Sequence, residues 1–167
     1  SGDVTAGVVY VNYGRREDFQ QLRELGVSLQ GRIAMARYGG NYRGFKARYA
    51  EDAGAVGVII YSDPANYGYR GGPVYPEGKQ WSESTVQRGS IKTLPYDGDP
   101  LTPFVAALTG DTSGVQRLDP DQVGLPRIPV TPLAYGSATE ILSRMTGAAV
   151  PAGWQGGLPF AYRLEGG

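Results

Sequence analysis

Two pairs of aspartates, Asp97/Asp99 and Asp119/Asp121, have the spacing in this chain that best suits acid–base or cation chemistry. Carboxylates two positions apart can share a hard cation or divide the work of general acid and general base. Both pairs also sit beside Gly or Pro, where an aspartate commonly bonds a nearby backbone amide in a turn. The turn reading is the simpler of the two, and Asp97 to Asp99 lacks the further acids of a calcium-hand loop. A third candidate is Arg43, within the stretch GGNYRG at 39–44, between an apolar run and a helical pattern. That stretch has neither a Gly-Lys-Ser/Thr ending nor GxGxxG spacing, which excludes a nucleotide site. A guanidinium near the free amides of a helix start is still well placed to grip a carboxylate, although a solvated surface arginine is the default. Tyr61, Tyr67, Tyr69, Tyr75 and Tyr96 form either a peptide or carbohydrate platform or ordinary packing with bonded hydroxyls. No serine has a base partner, so nucleophilic catalysis is unsupported.

The residues that are missing narrow the chemistry further. The 167 residues include no His and no Cys, which excludes a Ser-His-Asp triad, a Cys nucleophile, a disulfide framework and a nitrogen–sulfur zinc site. Sixteen basic and sixteen acidic residues give no net charge, so neither nucleic acid nor an anionic lipid surface is expected as a partner. No apolar run reaches the ~20 residues of a membrane span, and no signal-peptide pattern opens the chain. Because it starts at Ser1 rather than Met, the chain is expected to be part of something longer.

The elements that must position these residues follow from periodicity. The runs at 6–13, 31–38 and 56–61 read as strands, the last buried on both faces. Between them, Phe19, Leu22 and Leu25 mark a helix stopped by Gly26, and Phe45, Tyr49 and Ala53 mark a second stopped by Gly54. From about 62 to 124 the pattern fails, leaving a loop-rich excursion too long for an ordinary connection. A Pro-bounded strand at 126–132 is expected at a sheet edge. Ser137 and Glu140 read as a capping box opening a helix that carries Ile141, Leu142 and Met145 inward. A strand at 158–164 ends the pattern. Gly and Pro number 26 and 12, just under the level of a disordered chain, so a loop-rich but folded α+β domain over residues 1–167 is expected.

Six segments occur in one order: GRIAMARYG at 31–39, YRG at 42–44, AGAVGVIIYSDP at 53–64, VQRG at 86–89, GDPLTP at 98–103 and GLPRIPV at 124–130. Together they resemble the protease-associated, or apical, domain of the glutamate carboxypeptidase II and transferrin-receptor-like family, from about Val8 to Tyr162. The resemblance implies a β-sandwich-like or open-barrel mixed sheet with flanking short helices. It implies a lid over the cleft of a zinc peptidase, where two zinc ions and a general-base Glu belong to a separate peptidase domain. This chain alone would then hydrolyse nothing. Position by position, Arg43 matches an arginine that pairs with the α-carboxylate of a C-terminal glutamate, and Tyr42 matches an aromatic of the same pocket. Ser90 stands where the family commonly has an Asn, and Tyr67 matches a pocket-side tyrosine. Thr102 and the carbonyl of Val105 match half of a calcium site, although Phe104 replaces the usual Gly. A peptidase domain, a peptide C-terminus and a second copy of the parent are the implied partners, and an exported location the implied compartment. A receptor-type interaction module, or a carboxylate-dependent hydrolase using Asp97/Asp99, remain rival readings.

Overall fold

A computed structural model describes residues 2–107 and 114–167; residues 108–113 of the expected excursion, and Ser1, lie outside the described residues. The apolar runs become β1 (Val8–Tyr10), β2 (Ile33–Arg37) and β3 (Gly57–Tyr61), joined through helices α1 (Arg16–Glu24) and α2 (Arg43–Asp52). These connections make all three strands parallel, as a helical crossover requires. After β3 come the short α3 (Pro64–Tyr67) and a two-stranded ribbon, β4 (Gly98–Asp99) with β5 (Thr102–Pro103). The chain returns as β6 (Val130–Leu133), parallel to β3, then α4 (Tyr135–Leu142), β7 (Thr146–Ala149) and β8 (Arg163–Gly166). The sheet is mixed and open, in the order β6-β3-β2-β1-β8-β7, with no closed barrel.

The expected α+β architecture of mixed sheet and short flanking helices is what forms, and the Pro-containing β6 takes the sheet edge. Gly26 and Gly54 both follow their helices with positive φ, 73° and 89°. At the front of α1, Asp18 accepts a hydrogen bond from the Arg15 amide at 2.9 Å, satisfying one of the orphan donors.

Three local expectations are corrected. Helix α2 starts two residues earlier than Phe45, and its buried face is Lys46, Ala47 and Ala50, not the aromatic row. Small alanines let the helix approach the sheet, so Phe45 stays exposed and stacks on Tyr49 instead. Helix α4 starts at Tyr135, which places Ser137 inside its first turn, where no side chain caps it. The amide of Gly136 donates to the carbonyl of Glu83 at 3.0 Å, so the excursion supplies that cap. Glu140 pairs with Arg144 at 3.1 Å instead of reaching back. Finally, the strand expected at 158–164 forms only at its end, as β8 (Arg163–Gly166), which pairs with an unsignalled and fully exposed β7.

The excursion is fastened by aromatic side chains. Tyr67 stacks on Trp81 with ring centres 5.0 Å apart, and the Trp81 amide donates to the Tyr67 carbonyl. Hydroxyls of Tyr38, Tyr42, Tyr69, Tyr96 and Tyr135 each donate to a backbone carbonyl. Packing with a bonded hydroxyl therefore describes most of these tyrosines; Tyr75 stays 74% exposed.

Candidate functional site

Arg43 is the first residue of α2, and Tyr42 is its N-cap in extended conformation. The turn before them needs positive φ at Gly39 and Gly40, 99° and 77°. A Cβ on Gly40 would come 2.7 Å from Arg15 Nε and 2.8 Å from Tyr13, so the turn closes only with glycine there. Lys46, one helical turn on, pins it. Its ammonium donates to the carbonyls of Tyr13 and Gly39 at 2.5 and 2.7 Å and to Asn41 Oδ1 at 2.6 Å. Burial pushes the Lys46 ammonium down to about 7.

The Arg43 guanidinium lies 5.8 Å from the ring centres of both Tyr38 and Tyr42. Its Nε is buried and has no hydrogen-bond partner among the described residues. Beside it is a cavity of about 190 Å³ lined by Tyr38, Arg43, Ile60, Gly89 and Ile91, among others. Burial raises the Tyr38 phenol above its ordinary value; the adjacent Arg43 charge opposes that rise and Tyr67 adds to it.

The structure brings together some of the expected residues and separates others. Tyr42 donates its hydroxyl to the Ser90 carbonyl at 2.6 Å, which places Ser90 at the helix start. The Ser90 hydroxyl itself accepts from the Lys92 amide at 3.1 Å. Tyr67 is engaged instead by its stack on Trp81. Thr102 and Val105 lie elsewhere, in and just after β5: the Thr102 hydroxyl, 3% exposed with its residue, donates to the Val105 carbonyl at 2.9 Å. Phe104 between them keeps a left-handed φ of 66°, the conformation a Gly would adopt freely. Two residues of the Arg43 group, Tyr38 and Gly89, had no role in the sequence reading. Both stood inside segments that carried the resemblance, Gly89 in VQRG at 86–89 and Tyr38 in GRIAMARYG at 31–39, a usable signal.

One member of each aspartate pair is engaged by a backbone amide. Asp99 accepts from the Ala107 amide, and Asp119 accepts from the Asp121 amide at 2.9 Å. Among the described residues no group of three or more potential metal-ligating acids, His or Cys converges.

The described residues form an open mixed sheet with short helices, whose parallel half carries Arg43 at a strand-to-helix turn. The chain belongs to the PA domain family, whose family model, described as "PA domain", matches residues 3–94. It is 40% identical over 171 aligned residues to a "Glutamate carboxypeptidase 2 homolog" of Caenorhabditis briggsae, covering 98% of this chain and 22% of that protein. It is 40% identical over 161 residues to "Aminopeptidase NAALADL1" of Mus musculus, covering 94% of this chain and 21% of the relative. "Transferrin receptor protein 2" of Rattus norvegicus is 35% identical over 165 residues, 98% of this chain and 19% of that one. The chain thus spans about a fifth of the length of the curated relatives it matches.

Proposed function

We propose that the whole chain is one protease-associated domain of a glutamate carboxypeptidase-like zinc metallopeptidase, that it lids the cleft of a neighbouring peptidase domain, and that Arg43 receives the C-terminal carboxylate of a peptide substrate. The observation that carries this reading is the Arg43 guanidinium at the start of α2, its Nε buried and unpartnered beside a cavity. A carboxylate there would meet a charge-assisted, fork-shaped donor close to the positive end of a helix. In this reading Tyr42 and Ser90, joined by a hydrogen bond at the helix start, would line that position together with Tyr67, with Ser90 a shorter donor than the Asn common in the family. The names of the relatives, a carboxypeptidase homolog and an aminopeptidase, favour a peptidase parent.

Two zinc ions would belong to the parent's peptidase domain and supply the water-activating chemistry there; this chain, with no His or Cys, would contribute binding and orientation. The Thr102 hydroxyl and Val105 carbonyl oxygens, 2.9 Å apart, fit two neighbouring ligands of one calcium ion whose carboxylates come from the peptidase domain. A dimeric, exported parent completes the reading.

The test is hydrolysis of a dipeptide ending in glutamate, with zinc content, on the parent chain and on this chain. Arg43→Ala in the parent should lower kcat/KM about 30- to 100-fold, mostly through KM, because a charged hydrogen-bonded pair is lost. Activity from this chain alone would overturn the reading in favour of Asp97/Asp99. A zinc-free, inert parent whose protein binding ignores Arg43→Ala would make the domain a receptor-type interaction module.

A further inference from the structure

The main chain at 87–91 is strapped across the Arg43 guanidinium at two points. On one side the Tyr38 hydroxyl donates to the Gln87 carbonyl at 2.8 Å, and Tyr38 is itself 4% exposed just after β2. On the other the Tyr42 hydroxyl donates to the Ser90 carbonyl at 2.6 Å. Between these fastenings passes Gly89, where an added Cβ would stand 2.3 Å from Arg43 Nη1 and 2.6 Å from Cζ. A second close approach lies one step along: a Cβ on Gly44 would come 2.6 Å from the Ile91 carbonyl. Backbone therefore touches the arginine where no side chain fits.

We propose that Tyr38 and Gly89 are positioning residues for the carboxylate site, an inference that rests on the Arg43 reading above. A free arginine samples many rotamers, and fixing it on binding costs side-chain entropy. The strap removes that freedom beforehand. The Tyr38 and Tyr42 rings and the Gly89 backbone, which passes close to Nη1 and Cζ, confine the guanidinium. Tyr38 does so through a carbonyl 49 residues away. Gly89 does so by having no side chain.

The experiment follows the Arg43 Nε–H signal in ¹⁵N-labelled chain, assigned by its loss in Arg43→Lys, and then titrates glutarate. In the wild type the signal should exchange with solvent at least ten-fold more slowly than those of exposed arginines. Tyr38→Phe should speed exchange and weaken glutarate about five-fold, with the melting temperature kept within a few degrees. Gly89→Ala should do both more strongly. Tyr96→Phe, which removes a different tyrosine-to-carbonyl bond in the same excursion, should change neither. If Tyr38→Phe matches the wild type in exchange and affinity, the positioning role is wrong while the Arg43 reading survives. If glutarate binds Arg43→Ala as well as wild type, the Arg43 reading itself falls.

Discussion

Asp63 concentrates more of the fold's polar bonding than any neighbour and lies wholly out of solvent. One carboxylate oxygen accepts the hydroxyls of Tyr61 and Tyr162 at 2.8 and 2.7 Å, and the other accepts the amides of Ala65 and Gly157 at 2.8 and 2.7 Å. Four donors make a buried charge tolerable, and they tie the end of β3 to the segment before β8. Removing the acceptor strands all four at once. Asp63→Ala should cost about 3–5 kcal/mol of folding free energy, measured by urea unfolding, a loss typical of breaking a buried network. A cost under about 1 kcal/mol would mean that water takes the carboxylate's place. Lys46 is the counterpart among the cations. Its ordinary value of 10.5 falls to about 7 in the fold, so between those limits the unfolded chain binds more protons than the native one. Stability from this residue is therefore full above 10.5 and lost as pH falls through 7. Thermal melts should show stability rising from pH 7 toward 10, and Lys46→Met should flatten that rise.

Among the elements, α4 offers the cleanest contrast between local pattern and tertiary structure. Ser137 and Glu140 spell a capping box, yet the helix has already begun at Tyr135 because Glu83 caps it from the excursion. Ser137→Ala should then change stability by less than about 0.5 kcal/mol, whereas a true N-cap would lose about 1 kcal/mol. Calorimetry on the single variant separates the two. The same contrast explains what was readable elsewhere. Strands β1, β2 and β3 were legible because buried parallel strands are apolar without interruption, and α1 because Phe19 and Leu22 repeat at helical spacing. Strand β7 was not, because exposed Thr-Gly-Ala-Ala carries no burial signal and is a strand only through β8. At the candidate site, Arg43 was legible from its turn. The role of Tyr38 was not, since it exists only through a carbonyl 49 positions away.

At the scale of the whole molecule, alkaline pH should act against the fold from above. Tyr10, Tyr61 and Tyr162 are held well above the ordinary phenol value of 10.0, chiefly by burial. Their contribution is full below that value and is lost as pH rises past it, because the unfolded chain then sheds protons that the native one retains. Combined with Lys46, this sets a stability maximum near pH 10, and urea midpoints at pH 7, 9, 10 and 11 locate it. A maximum below about pH 8 would mean that Lys46 keeps its charge in the fold.

Sheet order also has a consequence in time. Strand β1 sits between β2 and β8, with Val8 opposite Gly166. During synthesis β1 leaves the ribosome well before its second neighbour, which follows about 160 residues later. At roughly 5–20 residues per second the wait is about 8–30 s. Through that interval the nascent parallel half offers a bare edge to any other chain with a free strand. Helper proteins that shield unfinished chains would act in that window, and protein yield would depend on how quickly the last strand arrives.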